Sequence, residues 1–316
     1  MSTMTPRATA VRQGSKKVRS RRRWYQNWQL YSLLVLPVAY FIIFRYLPMA
    51  GNIIAFRMYL PGGSIFGESW VGFTYFQQLF QDPGFWQAFR NTVTLGGLAL
   101  VIGFPAPIIL ALLLNELRSA GFKRFVQTTT YLPHFLSIVI VAGMIMQLSS
   151  LTGTINHLLS SVGIEKIAFL QDPGWFPAIY VGSEIWQTLG WGTILYLAAL
   201  TQIDDNLYEA ARIDGANRWQ QTWHVTLPGI APTIVTLLIL NIGTFLAVGF
   251  EKILLLYNPA TYATADVIST YLFRVGIQSG SFSYAAAIGM FEAVIGLVLV
   301  LSANFISKRV VGASLW

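Results

Sequence analysis

Residues 176–200 read FPAIYVGSEIWQTLGWGTILYLAAL, residues 201–228 read TQIDDNLYEAARIDGANRWQQTWHVTLP, and residues 230–248 read IAPTIVTLLILNIGTFLAV. The first stretch holds one charged residue, Glu184, and is long enough to cross a hydrocarbon core, which takes about 20 residues. The second is polar and charged, and the third is apolar again. Long apolar, polar, long apolar is the pattern of two membrane-spanning segments joined outside the lipid. Each span must be helical, because lipid offers no partner to an open backbone group.

Four more stretches share this character, at 30–48, 92–114, 126–148 and 285–306. The six together predict an all-α integral membrane protein with six transmembrane helices. Composition agrees. Of 316 residues, 54% are hydrophobic and only 11% are charged, against about 25% charged in a soluble domain. So few charges cannot cover that much apolar surface in water. The same numbers exclude a disordered chain.

Loop charge predicts orientation. With the N-terminus inside, fifteen of the 21 bases lie on the inner side, eight of them before Trp24. Five lie outside: Arg57, Arg90, Lys166, Lys252 and Arg274. Arg45 sits near the outer end of the first span, where a long base reaches the headgroups. The excess places both termini in the cytoplasm. The expected division is a basic cytoplasmic segment over 1–29, a permeating domain over 30–307 with an inner loop at 201–228, and a cytoplasmic tail over 308–316. The basic start reads as a topology signal and anchor for anionic lipid, not as a nucleic-acid arm. The first span is too long for the core of a signal peptide, and no A-x-A pattern follows it.

No catalytic apparatus is legible. There is no phosphate-cradling G-x-x-x-x-G-K-[ST], no H-E-x-x-H and no G-x-S-x-G. Cysteine is absent, and His134, His157 and His224 lack metal-ligand spacing. No catalytic residue, metal or cofactor is predicted in this chain.

Two acids, Glu184 and Glu292, fall inside spans, where ionised groups are costly and often functional. Glu184 shares a helical face with Gln187, Thr188 and Trp191, and Trp186 lies next to that face. Carboxylates and amides accept and donate to hydroxyls, and aromatic rings cover the apolar face of a sugar. These residues, with Asn241, form the predicted substrate pathway. A buried hydrogen bond that merely joins helices is the equal alternative. The last span carries Ala285, Gly289 and Ala293 at four-residue spacing, with Gly296 close by, a stripe for close helix packing.

The loop 201–228 is too long for a simple connection. Asp204, Asp205 and Asn206 can cap a first helix, Gly215 can turn the chain, and a second helical run reaches about His224. Pro228 is expected to end the unit at the membrane. The pair either enters a groove of a cytoplasmic partner or rests on lipid.

Glu209-Ala210-Ala211, then Gly215, then Val225-x-Leu227-Pro228 resembles the E-A-A-x₃-G-x₉-I-x-L-P signature of ATP-binding-cassette (ABC) importer permeases, with Val225 as the one conservative departure. The string YEAARIDGA is similar to the carbohydrate-uptake branch. Tyr46-Leu47-Pro48-Met49, Asn115-Glu116-Leu117-Arg118, Tyr131-Leu132-Pro133-His134-Phe135 and Gly190-Trp191 resemble its polysaccharide and oligosaccharide permeases. The resemblance implies the type I importer permease (MetI-like) fold in the bacterial inner membrane. It implies that Glu209, Ala210, Ala211, Gly215, Leu227 and Pro228 form a coupling helix docked on an ATPase. The implied partners are a second homologous permease, two cytoplasmic ATPase subunits that bind ATP and Mg, and an extracytoplasmic solute-binding protein delivering an oligosaccharide. Two other classes stay open on residue types: an ion-coupled secondary transporter using Glu184 or Glu292, and a non-transporting membrane scaffold.

Overall fold

The computed structural model describes residues 28–310. The chain divides into two compact units, residues 1–51 and 52–316. The predicted segment 1–29 and tail 308–316 lie mostly outside the described residues.

The first unit holds α1 (Trp28–Phe41), a π turn over Ile42–Tyr46 that carries Arg45, and α2 (Leu47–Met49). The π turn has a local cause. Pro48 has no N–H, and its ring collides with the carbonyl four residues back, so the turn before it widens. The N–H of Leu47 accordingly donates to the carbonyl of Ile42, five residues earlier. The same device recurs in the second unit, at Ala99–Gly103 before Pro105 and at Thr222–Thr226 before Pro228. Each of these three turns ends two residues short of a proline, so these helices bend without breaking, whereas a further π turn at Arg274–Gln278 has no proline after it.

The second unit opens with a 3₁₀ stretch that closes at Phe56, followed by α3 (Thr74–Gln81) and α4 (Pro83–Leu98), which is capped by the Asp82 carboxylate. Across the π turn α4 runs on into α5 (Pro105–Glu116). Then come α6 (Ala120–Tyr131), α7 (Ile138–Ser149), α8 (Thr154–Ser161) and α9 (Phe176–Leu200). The polar loop supplies α10 (Asp205–Ile213) and α11 (Arg218–Gln221), and α11 continues through its π turn into α12 (Leu227–Gly243). The short helices α13 (Phe250–Leu256), α14 (Tyr262–Ala265) and α15 (Ile268–Phe273) precede the long α16 (Phe282–Val310).

Among the described residues, five helical runs are long and apolar enough to span a membrane: Tyr31–Phe56, Pro83–Glu116, Ile138–Ser161, Arg218–Gly243 and Phe282–Arg309. The sixth expected span is the 25-residue helix α9, which has the length but carries Glu184, Gln187 and several glycines. Three boundaries differ from expectation. The run 126–148 is not one helix: a 3₁₀ turn at Leu132–Phe135 interrupts it at Pro133, and Ser137 caps the restart. The run 230–248 loses its helix after Gly243, where Thr244 donates its hydroxyl back to the Asn241 carbonyl. The second helix of the polar loop is not a separate surface helix ending at Pro228. It joins the fifth span, because the π turn absorbs that proline.

Among the described residues, three small apolar clusters replace a single core. One joins Leu95, Ala142, Phe176, Tyr180, Ile253 and Val267. A second joins Leu79, Phe85, Ile268, Tyr271, Tyr284 and Ile288, and a third joins Ala111, Tyr196, Leu200 and Ile230. Small residues set the helix crossings, as in other membrane bundles. At Gly190 a Cβ would lie 2.1 Å from the Thr130 carbonyl oxygen, so α9 crosses the end of α6 at backbone contact. In the α16 stripe, Ala285 and Gly289 pack inside this chain, against Gly276 and Leu272, whereas a Cβ added at Gly296 would meet nothing within 4 Å beyond its own helix.

Candidate functional site: an intramembrane cavity and a polar loop

The interruption between α12 and α13 leaves residues 244–249 as turn and irregular backbone, held by short-range bonds such as that from the Ala247 N–H to the Thr244 carbonyl. Irregular backbone inside a membrane protein is tolerated where it lines a cavity. Here it does: Thr244, Phe245, Ala247, Val248 and Gly249 form one wall of a cavity of about 440 Å³. The opposite walls come from Gly96 to Pro107 on α4–α5, from Tyr180 to Tyr196 on α9, and from Leu237 and Asn241 on α12. That volume falls in the usual range for small-ligand sites.

Of the predicted pathway residues, Glu184, Trp191 and Asn241 line this cavity, with Thr188 beside them. Gln187 does not; its amide reaches toward the Leu136 carbonyl at 3.3 Å. Trp186 and Glu292 are not on the cavity wall, and Glu292 has no polar partner among the described residues. His134 stacks flat on Trp191, with ring centroids 4.5 Å apart and planes 6° from parallel. The pair makes an aromatic plate at the edge of the cavity, held by the 3₁₀ turn at Pro133.

Lys252 is the residue whose surroundings the sequence did not reveal. Counted as an outer-loop base, it lies on α13 with 1% of its side chain exposed, its Nζ 2.5 Å from Glu184 Oε2. The same Nζ is 6.0 Å from the centre of the Tyr180 ring, and the Tyr180 hydroxyl accepts the backbone N–H of Gly249 at 3.0 Å. The signal available was one lysine in the apolar run FEKILLL; its pairing with Glu184, 68 residues away, had no local cue.

Outside the cavity, a polar cluster joins α3–α4 to α15–α16. The Asp82 carboxylate accepts from the hydroxyls of Tyr271 and Tyr284, the latter at 2.7 Å. Burial works against its charge, but these bonds and the N–H groups of Gly84 and Phe85 outweigh it and hold the carboxyl below the usual 3.8. Arg274 donates to both oxygens of Asp266, at 3.1 and 2.5 Å, and this pairing raises its pKa.

The polar loop 201–228 folds as local rules require. Asp204 caps α10 through the N–H of Asn206, Asp205 stands in the first turn and Arg212 in the last, as the helix dipole favours. Gly215 takes φ +80°, a conformation costly to any residue with a Cβ. The Ala216 N–H then returns to the Ala211 carbonyl at 2.8 Å. Asn217 and Gln220 form a reciprocal capping box for α11. The Tyr208 hydroxyl meets Thr226 Oγ1 at 3.0 Å, and Arg218 meets Glu116 at 2.7 Å, so both arms are tied to the helical body. Glu209 and Ala210 are exposed, and Ala211 is half-buried. Leu207, Ile213, Trp219 and Trp223 are exposed as well, with the two indoles edge to face. Leu227 and Pro228 sit in the first turn of α12.

Comparison with known proteins agrees. Residues 103–312 match the family described as binding-protein-dependent transport system inner membrane component. The chain is 47% identical to Protein LplB of Bacillus subtilis, over 89% of this chain and 88% of that one. It is 47% identical to the B. subtilis polygalacturonan/rhamnogalacturonan transport system permease protein YteP, over 90% and 89%. Among solved structures, a chain of a bacterial alginate ABC transporter in complex with alginate pentasaccharide-bound periplasmic protein superposes with a TM-score of 0.87, at 45% identity, covering 94% of this chain and all of that one. The polar loop, the helices it joins and these likenesses lead to one conclusion: the chain belongs to the family of binding-protein-dependent transport system inner membrane components, as a multi-pass permease subunit of an ABC importer and not an enzyme.

Proposed function

We propose that this permease moves an oligosaccharide or polysaccharide fragment, handed over by an extracytoplasmic solute-binding protein, through the cavity beside Glu184. The observation that carries the reading is that cavity itself. A carboxylate, a carboxamide, a threonine hydroxyl and a flat aromatic plate converge on it, which is the chemistry a polyhydroxylated ring needs. Relatives named for polygalacturonan/rhamnogalacturonan and for alginate support the substrate class.

In this reading the chain pairs with a second permease and two ATPase subunits that bind ATP and Mg. The exposed face of α10, with Glu209 and Ala210, docks on an ATPase. Gly215 sets the angle between the arms, and closure of the ATPases is passed through α11 into α12, because those helices are continuous. Both termini are cytoplasmic, and the permeating domain is the segment 30–307. Since α12 ends at the cavity wall, a push at the loop is delivered to the saccharide site along one bent helix.

The test is reconstitution of this chain with its co-expressed permease and ATPases in proteoliposomes. Binding protein loaded with saccharide should stimulate ATP hydrolysis and ATP-dependent uptake. Uptake that persists without the ATPases and collapses with an uncoupler would overturn the reading in favour of ion coupling.

A further inference from the structure

Lys252 is a buried ammonium with one ionic partner, and that partner faces the cavity. Only 1% of the lysine side chain is exposed, against 35% of Glu184. Among the cavity-lining residues Glu184 is the single acid, and no lysine or arginine is among them. The ammonium takes Oε2 of the carboxylate, while no hydrogen bond to Oε1 occurs among the described residues. The lysine enters from α13, the first helical segment beyond the unwound wall 244–249, and Tyr180 on α9 holds Gly249 at the start of that helix. Lys252 therefore fixes two things at once: the orientation of the carboxylate and the place of the wall opposite it.

We propose that Lys252 is a positioning residue for the transported saccharide: it holds Glu184 by one oxygen so that the other accepts a saccharide hydroxyl. The proposal rests on the import reading above. Its physical basis is that a carboxylate in a low-dielectric wall adopts the geometry its counter-ion dictates, and that a hydrogen bond to a charged acceptor is among the stronger polar contacts. Removing the ammonium leaves the carboxylate unpaired, free to turn toward whatever donor or water it finds. Arginine keeps the charge, but its planar fork takes a carboxylate by both oxygens and would occupy the one left for the saccharide.

The experiment measures equilibrium binding of alginate pentasaccharide and of rhamnogalacturonan fragments to the assembled, lipid-embedded complex without binding protein. Wild type, Lys252→Met, Lys252→Arg and Glu184→Gln are compared, with complex yield and thermal midpoint measured alongside. The expected result is binding weakened about tenfold or more in Lys252→Met and in Glu184→Gln, the loss typical of a hydrogen bond to a charged group. Lys252→Arg should also bind about tenfold more weakly although it keeps the ion pair, because its guanidinium fork takes both carboxylate oxygens. A Lys252→Met complex that melts earlier yet binds saccharide like wild type would reduce the pair to a structural tie and overturn the proposal. A wild-type complex that binds no saccharide but is stimulated by loaded binding protein would also overturn it, while leaving the import reading intact. Absence of both responses would remove the two together.

Discussion

Gly190→Ala is the sharpest perturbation the packing offers. The added Cβ would stand 2.1 Å from the Thr130 carbonyl oxygen, 2.4 Å from its carbon and 2.8 Å from Tyr131 Cδ1. Ordinary contact begins at 3.4 Å, so α9 and the end of α6 must part by about 1.3 Å. The first two obstacles are backbone atoms and cannot rotate away. Overpacking of this kind costs about 1–3 kcal/mol, sometimes more. The displaced segment leads directly into the turn that carries His134, so the aromatic plate with Trp191 opens as well. Gly182→Ala is the control on the same helix. Its Cβ would meet nothing within 4 Å, and replacing a mid-helix glycine gains about 0.5–1 kcal/mol. The assay is the thermal unfolding midpoint of the purified complex in lipid nanodiscs, with saccharide binding measured in parallel. Gly190→Ala should lower the midpoint and weaken binding; Gly182→Ala should hold or raise the midpoint with binding unchanged. Equal midpoints for Gly190→Ala and wild type would refute the close crossing.

Other outcomes follow from the same geometry. Gly215→Val meets no atom within 4 Å but is forced to φ +80°, a strain of about 1–2 kcal/mol, so insertion in the membrane should survive while ATPase coupling in proteoliposomes fails. Arg218→Ala removes an ion pair exposed by 61% and 49%, and the complex midpoint should move by less than the error expected for a contact worth about 0–1 kcal/mol. Tyr271→Phe takes a donor from Asp82, whose depressed pKa contributes stability above 3.8 that is lost as acid protonates it. The midpoint gap between wild type and Tyr271→Phe should therefore be constant at neutral pH and close as pH falls below 3.8.

The membrane class, the helical character and the local fold of the polar loop were legible because each rests on local information. Apolar length reports a span whatever its neighbours are, and capping by Asp204 or a left-handed Gly215 is settled within a few residues. Glu184 was singled out for the same reason: a charge within an apolar run is conspicuous without any structure. Prolines were visible too, but their effect was not. Pro133 interrupts a helix, whereas Pro48, Pro105 and Pro228 only widen one, and the difference lies in whether packing keeps the chain helical on both sides.

Tertiary structure alone decided which polar residues meet. Gln187 and Glu184 share a sequence face, yet only Glu184 and its neighbours Thr188 and Trp191 reach the cavity. Lys252 looked like an outer-loop base because hydropathy windows weigh composition and carry no term for a partner 68 residues distant. Span and cap are short-range properties written in neighbouring residues, whereas a counter-ion and a cavity wall exist only after separate helices have been brought side by side.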